Sequence, residues 1–194
     1  MKKFMILASM VAIVVAALAI PALAQGGQFS RDDNTRYEER EAERFANRVV
    51  DVSVYLDGIG LQTREAPRLD VPTKVAYHDA CHLAHAQGVR QQPRQALKEI
   101  PGIEIKEIRE AEVCCGSAGI YNMVEPEPAA ELGERKANNI LKTGAQLIVT
   151  SNPGCTLQLQ ASLKKMGHDM PIAHPAAVLD ASIRGEPVES LLGS

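Results

Sequence analysis

The chain opens on an almost unbroken apolar run and passes through a polar stretch. It then settles into short segments whose apolar positions repeat either every second residue or every third to fourth. Phe45, Val49, Val52 and Leu56 recur at helical spacing and predict one amphipathic helix, ended near Gly58 and Gly60. Pro67 and Pro72 predict an extended connector. "KVAYH" (74–78) predicts a strand, followed by a helix-compatible stretch from Cys81. "PRQALKEI" (93–100) predicts a helix stopped by Pro101-Gly102, and "IEIKEI" (103–108) alternates like a half-buried strand. The clearest helix is "EPAAELGERKANNILKTG" (127–144), with Ala129, Leu132, Ala137, Ile140 and Leu141 on one face. There Glu131 and Arg135 are four apart and Gly144 is placed as a C-terminal cap. "QLIVT" (146–150) predicts a buried strand, "TLQLQASLKKMG" (156–167) a helix lined by Leu159, Leu163 and Met166, and "AAVLDASI" a closing helix through Val178, Leu179 and Ile183. Strands alternating with helices predict an α/β layered domain: a small, mainly parallel sheet flanked by helices.

The opening apolar run has its own logic. Lys2 and Lys3 precede it, and Ala22-Leu23-Ala24 forms a small-residue cleavage site before Gln25, so residues 1–24 read as a signal peptide or a membrane anchor. No twin-arginine pair precedes the run. "GGQFSRDDNTRYEERE" (26–41) is polar with mixed charges and reads as a linker or a frayed helix start. The expected division is therefore a leader (1–24), a polar linker (25–41) and one α/β domain (42–190). The leader predicts a secreted, periplasmic or membrane-anchored chain, with membrane contact through that segment.

Composition narrows the functional classes. Of 194 residues, 45% are hydrophobic, 4% aromatic and none tryptophan, so the core is expected to be aliphatic. A net charge of −3, without a basic run interleaved with aromatics, gives no footprint for nucleic acid. Four cysteines in a chain of this size do not make a disulfide scaffold.

Those cysteines are Cys81, Cys114, Cys115 and Cys155, and each follows a predicted strand. In parallel sheets the loops beyond the carboxyl ends of the strands gather at one edge, so cysteines far apart in sequence are expected to meet. Cys114 and Cys115 are adjacent, with Cα atoms about 3.8 Å apart, below the usual disulfide window of about 4.4–6.8 Å. Neighbouring side chains point in different directions and can reach two atoms of a multi-metal cluster. A single tetrahedral zinc favours ligands two to four residues apart, and no C-x-x-C occurs. Gly116 would let the backbone approach a bulky inorganic ligand or take a positive φ. In "NPGC" (152–155), Pro153-Gly154 would make a tight turn aiming Cys155 from a helix start, where a thiolate is favoured. An iron–sulfur cluster, a redox-active dithiol, a zinc site and inert buried thiols all stay open on this chemistry.

His78, His82 and His85 surround Cys81. They are open to a metal role, to tuning a neighbouring cluster, or to plain packing and solvent exposure. Asp79 is placed to cap the helix that follows, and His174 reads as structural. "EPEP" (125–128) reads as a solvated helix start. No Ser-His-Asp ordering, phosphate-binding glycine loop or G-x-G-x-x-G is present, so nothing suggests that the chain itself binds flavin or nicotinamide.

"VAYHDACHLAHAQGVRQQPRQAL", "CCGSAGIYN" and "TGAQLIVTSNPGC" together resemble the carboxyl-terminal cysteine-rich (CCG) domain of the glycolate oxidase iron–sulfur subunit. More broadly they resemble cysteine-rich domains of heterodisulfide reductase and lactate-utilisation proteins. The resemblance runs from about Phe45 to Gly185. It implies Cys81, Cys114, Cys115 and Cys155 as the cluster-binding or redox set, for a cluster expected to be 4Fe-4S, with Gly116 and Gly154 as further cofactor-binding positions and His78 and His82 as candidate neighbours. It also implies a non-catalytic electron-transfer subunit of a glycolate (2-hydroxy acid) oxidase complex. The partners would be a flavin-containing subunit and other iron–sulfur domains, in the cytoplasm or at the inner face of the membrane. Two departures stand out: Gln158 occupies the last position of the C-x-x-C found in the heterodisulfide reductase form, and the ferredoxin-like region of a full-length subunit is replaced by the leader. The chain therefore looks like the last third of such a subunit. A truncated, cluster-free exported structural or binding domain and a thiol–disulfide module are the alternatives.

Overall fold

The computed structural model describes residues 31–60, 72–186 and Leu191. The leader and Pro67 lie outside them. Two compact units divide between Arg48 and Val49. In the first, helix α1 (Arg31–Ala46) takes in residues 31–41 of the stretch read as a linker or a frayed helix start. Its Tyr37 and Phe45 are exposed, and Arg44 pairs with Glu41 at 2.9 Å.

The single helix expected through Phe45, Val49, Val52 and Leu56 is instead broken. The backbone leaves the helix after Ala46, and a separate α2 (Val52–Ile59) begins where Asp51 accepts a hydrogen bond from the Ser53 N–H at 2.9 Å. A side-chain cap starts a new helix whatever the apolar rhythm across it. Phe45 and Val49 consequently face solvent.

The second unit is built on β1 (Thr73–His78), α3 (Gln91–Lys98), β2 (Ile103–Lys106), a short α4 (Tyr121–Val124), α5 (Pro126–Leu141), β3 (Leu147–Thr150), α6 (Pro153–Lys165), β4 (Ile172–Ala173) and α7 (Pro175–Arg184). All strand pairings are parallel, in the order β2-β1-β3-β4. β1 lies between its two crossover partners, so the loops after β1 and β3 leave in different directions and open a crevice at their carboxyl ends. The fold class is as the alternation predicted.

Each strand feeds two cores, because successive side chains point to opposite faces. Val75, Tyr77, Leu147 and Val149 pack against Leu97 and Ile100, at and just beyond α3, and against Val178 and Leu179 of α7. Ala76 and Ile148 pack on the other side against Ala137 and Ile140 of α5 and Leu159 and Leu163 of α6, together with Cys115 and Cys155. Several local expectations change in the packed molecule. Ile183 lies on the exposed side of α7. Lys142 caps α5, with Gly144 (φ +66°) turning the chain just after it. Arg135 does not pair with Glu131 but forks onto the carboxylate of Glu110, with Nε donating at 2.9 Å.

A buried ion pair fixes the end of β1. Arg94 of α3 donates to both oxygens of Asp79 (2.8 and 2.7 Å) and to both of Glu107 (3.0 and 3.0 Å), and its guanidinium lies 4.8 Å from the centroid of the Tyr77 ring. A bidentate pair with its remaining protons satisfied is the arrangement in which a buried charge is tolerated. Among the described residues, no helix is long and apolar enough to cross a membrane.

Candidate metal centre

Three loops carry the cysteines, and each has a distinct local cause. After β1, Cys81 opens a π-helical turn (His82–Ala86) that no side chain caps, because the expected cap, Asp79, is committed to Arg94. After β2, residues 109–111 are clamped by one face of α5. Asn139 Nδ2 donates to the Arg109 carbonyl (3.1 Å) and the Glu110 carboxylate (2.9 Å), and Lys136 Nζ donates to the carbonyls of Glu110 (2.6 Å) and Ala111 (3.2 Å). Cys114 and Cys115 follow directly. Gly116 has φ +93°, and a Cβ there would collide with the Ala129 carbonyl, so the close approach it permits is to α5.

After β3, Asn152 caps α6 by accepting from the Cys155 N–H at 3.1 Å. Pro153 and Gly154 are thus the first helical residues rather than a separate turn. A Cβ on Gly154 would lie 2.7 Å from Ser117 Oγ, so this glycine lets the loop after β2 seat against the start of α6.

The loops bring the thiols to one place: Cys114 and Cys115 are adjacent in the chain, the Cys115 and Cys155 sulfurs lie within 4.8 Å of each other, and Cys81 and Cys155 line one cleft. All four are free, with Cys115 and Cys155 buried. His78 points to the same side of the sheet, and its ligand nitrogen and the sulfurs of Cys115 and Cys155 all lie within 4.8 Å of one another. His78 is 1% exposed, and neither ring nitrogen has a hydrogen-bond partner. Buried polar groups almost always find one, so two orphaned nitrogens beside thiols mark a place prepared for something else. A cleft of about 510 Å³ opens at Cys81, His82, Ser117, Gly119, Asn152 and Cys155.

His82 and His85 are exposed and engaged elsewhere. His82 Nδ1 lies 3.2 Å from Asn152 Nδ2, and His85 Nε2 lies 3.2 Å from the Glu112 carbonyl. His82 lines the cleft beside Cys81 and Cys155. His174 caps α7, its Nδ1 accepting from the Ala176 N–H at 3.1 Å, in keeping with a structural role.

Crowding makes it costly to ionise these thiols. The Cys114 thiol is pushed up by its hydrogen bond with Cys115 and by burial. In Cys115 the hydrogen bond with Cys114 pulls downward, but the bond with Cys155 and burial outweigh it and raise the thiol to about 12. Burial and the neighbouring Cys114 raise Cys81. His78 is held neutral, its pKa lowered to about 4 by burial and then by the charge of Lys136, with Asp79 opposing. Backbone N–H groups nonetheless point at the sulfurs. The Gly116 N–H lies 3.4 Å from Cys114 Sγ, and those of Ala118, Ser117 and His82 serve Cys114, Cys115 and Cys81. A bound cation reverses this balance, since coordination deprotonates thiols outright. Four soft thiols, amide donors and a neutral imidazole fit iron–sulfur ligation.

Sequence reasoning missed Lys136, which is 1% exposed. Its position on the apolar stripe of Ala129, Gly133, Ala137 and Ile140 was the available signal.

Residues 75–160 match the model of a cysteine-rich domain designated CCG. The chain is 39% identical over 135 residues to the probable glycolate oxidase iron-sulfur subunit of Bacillus subtilis, covering 70% of this chain and 30% of that protein. It is 38% identical over 125 residues to one subunit of the fumarate reductase (CoM/CoB) of Methanothermobacter marburgensis, covering 61% and 24%. It is 28% identical over 112 residues to lactate utilization protein A of Oceanobacillus iheyensis, covering 58% and 46%. The chain thus spans less than half the length of these relatives.

Proposed function

With residues 75–160 being a CCG cysteine-rich domain, we propose that this chain is an iron–sulfur electron-transfer module, with Cys81, Cys114, Cys115 and Cys155 holding one cluster. The observation that carries the reading is the convergence of free thiols from three loops at one sheet edge, with the Cys115 and Cys155 sulfurs within 4.8 Å of each other and Cys81 lining the same cleft as Cys155. Bound there, such a cluster would supply one-electron storage and transfer. Four thiolates match the ligand count of a 4Fe-4S cluster, and a ring nitrogen of His78 lies within 4.8 Å of the Cys115 and Cys155 sulfurs. Gly116 and Gly154 contribute by letting the cysteine loops close on α5 and on each other.

The named relatives support a setting in a larger 2-hydroxy acid oxidase or related reductase assembly. In that setting a flavin-containing partner would oxidise the substrate and this chain would relay electrons without catalysing the reaction itself. Gln158 bears on the cluster type. Its amide accepts from Asn122 Nδ2 (3.1 Å) and donates to the Ala129 carbonyl (3.3 Å), which leaves the ligand set at four thiols.

A second reading has its own observation: His78, Cys115 and Cys155 alone would make a mononuclear metal site. Anaerobic production of the full chain, with iron and acid-labile sulfide analysis and a visible spectrum, separates the two. Stoichiometric iron and sulfide, lost on changing Cys114 and Cys115 to serine, supports the cluster. A folded, colourless, iron-free chain overturns it, and one zinc without sulfide favours the mononuclear site.

A further inference from the structure

Lys136 occupies the middle of α5, fully buried, yet the hydrogen bonds of its ammonium go to carbonyl oxygens. Among the described residues, the ion pairs use Arg44, Arg94, Lys106, Arg135, Lys165 and Arg184, and Lys136 is in none of them. Glu110 offers Lys136 its carbonyl while turning its carboxylate to Arg135 and Asn139. A buried ammonium held only by carbonyl dipoles keeps its net charge uncompensated, which interiors tolerate poorly.

The same face of α5 lies against the cysteines: the loop that Lys136 holds runs directly on to Cys114 and Cys115, a Cβ on Gly133, one turn earlier, would lie 3.3 Å from the Cys115 carbonyl oxygen, and the next residue, Ala137, packs in one cluster with Cys115. Burial lowers the proton affinity of Lys136, and negative charge at Cys115, Glu112, Asp79 and Glu110 would oppose this. His78, within 4.8 Å of the Cys115 sulfur, also feels the lysine charge. The ammonium therefore faces the thiols from the helix that clamps their loop.

We propose that Lys136 is a positioning residue that supplies fixed positive charge beside Cys115 and so favours the reduced, more negative state of the cluster. This deepens, and rests on, the iron–sulfur reading above. Charge fixed in a poorly solvated interior acts over several ångströms with little screening, and net charge near a cluster is one of the main determinants of its potential.

The test is a mediated anaerobic redox titration of the full chain, followed by visible absorption and electron paramagnetic resonance, for wild type, Lys136→Gln and Lys136→Arg. Lys136→Gln keeps an N–H donor for the Glu110 and Ala111 carbonyls and removes the charge. Lys136→Arg keeps the charge. At the wild-type midpoint the reduced-to-oxidised ratio is expected to fall about tenfold in Lys136→Gln, a shift of about 59 mV for a one-electron couple, and to stay near wild type in Lys136→Arg. An unchanged potential in an iron-replete Lys136→Gln overturns the inference and leaves the cluster reading standing. Loss of iron from both variants also overturns it, because Lys136 would then be only a staple of the loop. An iron-free wild type removes the reading and the inference together.

Discussion

The two faces of the sheet are made from the same strands and serve different ends. On the side of α3 and α7, Val75, Tyr77, Leu147 and Val149 meet aliphatic partners and close a core with little chemistry in it. On the side of α5 and α6, the intervening residues of β1 lead from Ala76 to His78, and the core there takes in Cys115 and Cys155. Reactive groups are gathered where the sheet's carboxyl edge meets the α5 layer, and the opposite layer holds the frame. Small residues such as Ala76 and Ala137 line the chemical side. A shift of one residue in β1 would exchange the two sets.

If the division is real, the two faces should fail differently. The largest effect on stability is expected from Leu97→Ala, at a fully buried site in the α3–α7 core. It should cost about 2–5 kcal/mol by denaturant unfolding while leaving iron per folded chain unchanged. Loss of iron without loss of fold in that variant would break the comparison. Gly116→Ala should cost about 1–3 kcal/mol, since the backbone there is at φ +93° and the new methyl meets the Ala129 carbonyl. Unlike Leu97→Ala, it should also reduce iron content, because it displaces Cys115.

The smallest effect concerns the clamp between α5 and the cysteine loop. Arg135, and then Asn139, hold the Glu110 carboxyl down to about 2, below its ordinary value of 4.5. Because the folded value is the lower one, the stabilisation is complete above about 4.5 and is lost as pH falls toward about 2. Glu110→Gln should flatten the dependence of the melting midpoint on pH within that window and leave the neutral-pH spectrum unaltered. A slope identical to wild type would remove Glu110 from the clamp.

Much of this organisation was legible in the sequence. The strand–helix alternation and the position of every cysteine just after a strand were enough to predict their convergence, since parallel topology gathers those loops. The three histidines around Cys81 were not separable by spacing, because the strand ends at His78 and a π-helical turn begins at His82. Only His78 is buried by the alternation of β1. Non-local pairing was hidden for a different reason. Glu131 and Arg135 satisfy a helical pair rule, yet Arg135 reaches Glu110, far away in sequence and supported by a second contact from Asn139. The apolar rhythm through Phe45 and Leu56 concealed the break at Asp51, where a capping side chain outweighs periodicity. Lys136 escaped notice because a lysine in a helix is ordinarily solvated, and its burial depends on carbonyls contributed by another loop.

The central claim is that the thiols on the α5 side hold several irons together. Iron-edge X-ray absorption fine structure of the anaerobically prepared full chain tests it most directly. The account predicts a sulfur-dominated first shell with a distinct iron–iron distance beyond it, both lost in Cys155→Ser. A first shell of mixed sulfur and nitrogen without iron–iron scattering would contradict it and assign His78, Cys115 and Cys155 to a single metal ion.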